Sequence, residues 1–129
     1  MLKAVRGATT IPTATPLEGD PRQVYRDALL SLVKILLEKN HIASEQILSV
    51  FFTVTPDLTA YSPAKIVREA MGWDTVAIMC AQEPVIEDFP DRCVRILIQW
   101  EPSSQEAAAQ PVSHAYLNNA AGLRPDWSS

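Results

Sequence analysis

Cys93-Val94-Arg95-Ile96-Leu97-Ile98-Gln99-Trp100 is a run of β-branched, aliphatic and aromatic residues that reads as a buried β-strand. Its period of two places Cys93, Arg95, Leu97 and Gln99 on one face and Val94, Ile96, Ile98 and Trp100 on the other. One residue is out of keeping with the rest. A permanently charged guanidinium in such a strand is costly unless an anion meets it, and no acidic residue within the run offers a partner. Arg6 repeats the pattern in Leu2-Lys3-Ala4-Val5-Arg6-Gly7-Ala8, and Arg124 lies in Leu123-Arg124-Pro125-Asp126. Taken together, these arginines point to a pocket for a small carboxylated or phosphorylated ligand. For any one of them the alternative is an intramolecular salt bridge or a snorkelling edge residue.

Outward from that strand, Leu2 to Ala8 alternates as a first strand, with Leu2, Ala4 and Arg6 on one face and Arg6 expected to end it. Ala8 to Gly19, rich in Thr and Pro, reads as a loop. Asp20, Pro21 and Gln23 supply an N-cap, a first-turn proline and a capping-box-like amide, so the pattern predicts a helix from Pro21 to about Lys39, stopped by Asn40. Its apolar stripe is Val24, Ala28, Leu29, Leu32, Val33, Ile35 and Leu36. Ser44-Glu45-Gln46 reads as a brief helical turn before a central strand, Ile47 to Val54, which Thr55-Pro56-Asp57 ends. Ser62 and Pro63 open a second helix that stops at Gly72, and Val76 to Cys80 makes a short third strand. Glu101 to Pro111 reads as a polar, Ala-rich connection. Val112 to Ala121 reads as a short helical segment carrying His114, Tyr116 and Leu117, and Gly122 to Ser129 as a loop and tail. Four strands with interspersed helices predict an α/β (α+β) fold: a mixed sheet with helices against one face. The other face has too few helices to cover it, so an oligomeric partner is expected.

At 129 residues the chain fits a single domain, 1–129, large enough to fold without metals or disulfides. No apolar run approaches the roughly 20 residues that span a bilayer, and the N-terminus lacks a basic stretch followed by an apolar segment. These features predict no membrane association and a cytoplasmic location. The net charge is −4 and the eleven Lys and Arg are scattered, so no basic stripe tracks a phosphate backbone and nucleic acid is not an expected partner. Cys80 and Cys93 have neither CxxC spacing nor histidines at metal-ligand spacing, and read as free thiols in a reducing compartment.

Few motifs carry chemistry. In Cys80-Ala81-Gln82-Glu83 a thiol precedes a carboxylate, but no histidine lies near to activate it, and a Cys at a strand end reads first as structural. His41 and His114 join no triad-like pattern and read as surface or capping residues. The glycines are too dispersed for a phosphate cradle, so no nucleotide cofactor is implied. What remains is an arginine-rich site with Glu83, Cys80 and Tyr116, and no evident nucleophile or metal. That set suits chemistry done by position and electrostatics alone.

Six blocks of the sequence carry a resemblance. They are Val5-Arg6-Gly7-Ala8-Thr9-Thr10, Thr55-Pro56-Asp57-Leu58, Pro63-Ala64-Lys65 with Val67-Arg68-Glu69, Cys80-Ala81-Gln82-Glu83, Cys93-Val94-Arg95, and His114-Ala115-Tyr116-Leu117 followed by Leu123-Arg124-Pro125-Asp126. In order and spacing they resemble the AroH-type chorismate mutases over nearly the whole chain. The resemblance implies a homotrimeric pseudo-α/β-barrel with active sites in the clefts between subunits. It also implies conversion of chorismate to prephenate without a cofactor or metal, a step of aromatic amino acid biosynthesis by the shikimate pathway. On that resemblance Arg6 and Arg95 hold the substrate carboxylates, Arg95 also donates to the ether oxygen of the breaking C–O bond, and Tyr116 supports the carboxylate side. Glu83 and Cys80 hydrogen-bond the ring hydroxyl, Arg68 and Arg124 line the entrance, Lys65 lies on the rim, and the tail from Leu123 to Ser129 closes over the ligand. Ser62 departs from the pattern, since relatives carry an aromatic residue before Pro63, and Tyr61 is the expected replacement.

The chemistry agrees with the residues. A Claisen rearrangement breaks a C–O bond and forms a C–C bond within one molecule, so it needs no nucleophile and exchanges no proton. The protein has to hold a compact conformer and stabilise charge growing on the ether oxygen. The competing reading is a non-catalytic trimeric α/β module that uses the same arginines to bind a small anionic metabolite.

Overall fold

In the computed structural model, which describes residues 1–13 and 19–127, the strand Cys93–Trp100 lies in the middle of a five-stranded sheet. In chain order the strands are β1 (Lys3–Thr10), β2 (Ile47–Val54), β3 (Ala77–Gln82), β4 (Cys93–Trp100) and β5 (Ala115–Tyr116). The helices are α1 (Pro21–Lys39), α2 (Pro63–Met71) and α3 (Gln105–Ala109). Across the sheet the order is β3-β2-β4-β1-β5. β4 is antiparallel to β1 and β2, while β2–β3 and β1–β5 are parallel. The crossovers β1–α1–β2 and β2–α2–β3 therefore join parallel strands, and a common handedness carries both helices to one face. None of the described helices is long and apolar enough to cross a membrane.

Local chemistry sets the helix ends. The Asp20 carboxylate accepts from the Arg22 N–H at 3.0 Å, with Pro21 in the first helical position. The Gln23 amide donates to Asp27 at 2.6 Å, one turn on. Asn40 closes α1 by donating to the Leu36 carbonyl at 2.8 Å, and it also exchanges two hydrogen bonds with the Ser113 backbone, tying the helix end to the approach to β5. Ser62 caps α2 through the Lys65 N–H at 3.3 Å, and Gly72, at φ 68°, ends it in the left-handed region that favours glycine.

The main core lies between the helices and the sheet. Leu29, Leu32, Val33 and Leu36 of α1 meet Val5, Val50, Phe52, Ile96 and Ile98, with Val67 of α2 and Trp73 enclosed beside them. The buried stripe of α1 also takes in Tyr25 and Leu30, whereas Val24, Ala28 and Ile35 are only half-buried. Gly7 is where helix and sheet come closest. A Cβ there would stand 2.8 Å from both the Ala115 carbonyl oxygen and Leu36 Cδ1.

Several expectations are corrected. Arg6 does not end β1, which pairs with β4 from Lys3↔Trp100 to Thr10↔Cys93. The β-branched Thr9 and Thr10 extend it because their buried hydroxyls find partners: Asn118 donates to Thr9 at 3.0 Å and the Asn119 N–H to Thr10 at 3.1 Å. Part of the expected Thr/Pro loop, Ala14 to Glu18, lies outside the described residues, as do Ser128 and Ser129 of the tail. Val112 to Ala121 is not a helix, but a short strand beside β1 followed by a 3-10 turn, Asn118–Leu123. The Glu101–Pro111 connection contains α3, capped by Ser104. Gly122 to Trp127 is wound into 3-10 turns rather than open loop. The helix-free sheet face is also not wholly bare. Ala8, Cys93, Tyr116 and Ala120 form a small second core there, against which Phe89, Leu123 and Trp127 pack.

Candidate active site

Strand register determines which side chains meet on the helix-free face. One row across the sheet is Tyr116, Ala8, Arg95, Thr53 and Ala81, and the next is Arg6, Leu97, Phe51 and Met79. Just past β3 the Glu83 N–H donates to the Val54 carbonyl at 2.8 Å, so the pleat returns the Glu83 side chain to the face of Ala81 and Thr53. Glu83 is 3% exposed, and its Oε1 accepts from Arg95 Nε at 2.6 Å and from the Thr53 hydroxyl. The partner missing from the Cys93–Trp100 run is therefore supplied by the connection that leads from β3 to β4.

Burial alone would raise the Glu83 carboxyl, but hydrogen bonds from Arg95 and Thr53 and the adjacent guanidinium charge outweigh it and hold the group below the usual carboxylate range. Donating to Glu83 in turn raises Arg95 above its ordinary value. Arg95 is thus a fixed cation, with its guanidinium carbon 5.4 Å from the centre of the Phe89 ring. With Arg6, Tyr116, Thr53, Phe51 and Leu97 it lines a depression of about 210 Å³. The Arg6 guanidinium lies 4.9 Å from the Trp127 ring centre. Leu123 packs on the small core beneath, and Arg124 makes a two-pronged ion pair with Asp126, at 2.7 and 3.1 Å, above the Trp127 ring.

The remaining site residues of the sequence reading lie elsewhere on the chain. Lys65 and Arg68 line a second depression of about 440 Å³ with Ser62, Trp73, Val76 and Ile78. Tyr61 does not stand in for an aromatic residue at Ser62 there. Its ring meets Tyr25 edge-on at 5.6 Å, with Arg22 5.3 Å from its centre. Cys80 is in register with Phe52 and Ile96, on the helix side, whereas Glu83 faces the opposite way. Within one chain the two do not share a ligand atom, because an offset of three along an extended segment reverses the side chain. Burial raises both thiols, Cys93 to about 12, so each stays protonated and neither is an activated nucleophile. Among the described residues no group of three or more His, Cys, Asp or Glu is arranged to hold a metal ion.

Sequence reasoning missed Thr53, Phe89, His114 and Trp127 as members of this neighbourhood. Thr53 alternates with Phe51, which marks a shared face, but only the register Thr53↔Arg95 shows what that hydroxyl meets.

A five-stranded mixed sheet with both long helices on one face, and an arginine–glutamate pair beside a shallow depression on the other, defines an α+β protein. The chain belongs to the chorismate mutase type I family, whose model matches residues 2–127. It is 31% identical to the chorismate mutase AroH of Bacillus subtilis (strain 168), covering 99% of this chain and 94% of the relative. It is 34% identical to the chorismate mutase AroH of Thermus thermophilus, covering 100% and 98%. Its fold is similar to that of a chorismate mutase from Clostridium thermocellum, with a TM-score of 0.74 at 33% identity, over 94% of this chain and 99% of that one.

Proposed function

We propose that the chain catalyses the Claisen rearrangement of chorismate to prephenate, at sites formed between the subunits of a homotrimer. The observation that carries this reading is Arg95, held through Nε by the buried Glu83 so that its two terminal nitrogens are left for a ligand. The reaction breaks and makes its bonds within one molecule, so its electrons balance without a cofactor. Arg95 donates to the ether oxygen as the C–O bond lengthens and negative charge grows there. Because the guanidinium is already fixed, little reorganisation accompanies the reaction. Arg6 holds a substrate carboxylate with support from Tyr116, and Glu83 accepts the ring hydroxyl on the carboxylate oxygen not committed to Arg95. Lys65, Arg68 and Cys80 reach the substrate from a neighbouring subunit, since in their own chain they lie away from Arg95. Leu123 and Arg124 border the opening. Such a biosynthetic enzyme with free thiols belongs in the cytoplasm.

The test is direct. Purified protein mixed with chorismate should remove its absorbance and produce prephenate in equal amount. Chorismate loss at the uncatalysed rate would overturn the reading.

A further inference from the structure

We propose that His114 is a positioning residue for Arg6: its unprotonated Nδ1 holds the backbone of β1 at Arg6 while its ring carries Trp127. Arg6 and the C-terminal segment are then held together only while the imidazole is neutral. This rests on the assignment of Arg6 to a substrate carboxylate.

The ladder between β1 and β5 covers only Gly7↔Ala115 and Ala8↔Tyr116. The next rung is made by a side chain, with the Arg6 N–H donating to His114 Nδ1 at 3.0 Å. Neutral imidazole has one acceptor nitrogen and imidazolium has none, so protonation would set one N–H against another. The other side of the clasp is aromatic. His114 and Trp127 stack with centres 3.7 Å apart and planes inclined by 22°, and the same indole carries the Arg6 and Arg124 guanidinium groups at 4.9 and 3.3 Å. Protonating His114 would add a cation beside Arg6 of β1 and Arg124 of the C-terminal turn, opposed by the carboxylate of Asp126, with the Tyr116 ring centre 6.0 Å from that of Trp127. Burial is the main reason that the imidazole is held below its ordinary value, and the Arg6 and Arg124 guanidinium charges act the same way, against the opposing pull of the contact with the Arg6 backbone and of Asp126. The clasp is therefore closed at neutral pH and opens in acid.

Two substitutions separate its halves. His114→Asn places an amide oxygen near the position of Nδ1, an acceptor that does not titrate, and removes the ring. His114→Phe keeps a ring and removes the acceptor. The kcat and KM for chorismate are measured from about pH 5 to 8 on protein shown to be folded and of parental mass. In the parent, KM should rise in acid by up to about tenfold per pH unit while kcat changes little. His114→Asn should lose that dependence. His114→Phe should show a KM about tenfold above the parent at neutral pH, as expected for an orphaned N–H. An acid rise in KM that persists in His114→Asn, or a parental KM in His114→Phe, would overturn the proposal. Nitrogen-15 shifts of the intact protein give a readout independent of activity. They should report the Nε2–H tautomer of His114, and the Nδ1–H tautomer would refute the clasp. An inactive parent with the Nε2–H tautomer would refute the assignment of Arg6 while upholding the clasp.

Discussion

Arg95 has to be held still before it can hold anything else, and Glu83 does this from an almost fully buried position while Arg95 itself is 37% exposed. A guanidinium bonded through Nε keeps its planar fork, and that distinguishes it from a lysine, which would carry the charge without the geometry. If the charge acts chiefly in the transition state, removing it should lower turnover more than binding. Arg95→Ala should reduce kcat by about two to three orders of magnitude, the usual loss for one such donor. Citrulline at the same position keeps the shape and the bond to Glu83 but loses the charge, so most of the turnover should still disappear at saturating chorismate. Citrulline turnover close to the parent would leave Arg95 a role in shape alone.

Elements were legible in the sequence where their ends carry their own chemistry. Asp20-Pro21, Ser62-Pro63 and Gly72 mark helix boundaries with bonds made inside the segment, and Cys93–Trp100 forms as read because Val94, Ile96, Ile98 and Trp100 set an unbroken apolar row on one face of the strand. The missed elements depend on distant partners. β5 spans two residues and exists only because β1 offers it an edge. The extension of β1 through Thr10 likewise depends on Asn118 and Asn119 from the far end of the chain. The site follows the same division: Arg95 and Arg6 stand out as charges in apolar strands, whereas the anchoring of Arg95 by Glu83 and Thr53 requires the register. One glycine records how tightly these elements meet. Gly7→Ala would drive a methyl into the Ala115 carbonyl and Leu36, and only the leucine end can give way. Unfolding free energy should fall by about 1–3 kcal/mol, the range for overpacking a filled site. An unchanged urea midpoint at matched protein concentration would show that the approach of α1 to β1 is looser than described.

At the scale of the molecule, the two groups of charged residues lie apart. Arg6, Arg95, Glu83 and Tyr116 occupy the helix-free face, while Lys65 and Arg68 line a separate depression beside α2. In the proposed trimer each would be half a site. The sheet row that carries Arg6 and Leu97 also presents Phe51 at 38% and Met79 at 67% exposure, apolar surface that a neighbouring copy would cover. In a closed ring each subunit would give its sheet face to one neighbour and its α2 side to the other, so a defect on one face and a defect on the other could be complemented. The decisive measurement is therefore a mixing experiment. Arg95→Ala and Arg68→Ala proteins, each nearly inactive, are unfolded, combined in equal amounts and refolded, and the product is checked for a mass three times the 14.2 kDa chain. Random assembly of trimers leaves about a quarter of the interfacial sites with both halves intact, so about a quarter of parental activity should return. Activity no greater than the average of the two variants alone would contradict a site built from two chains.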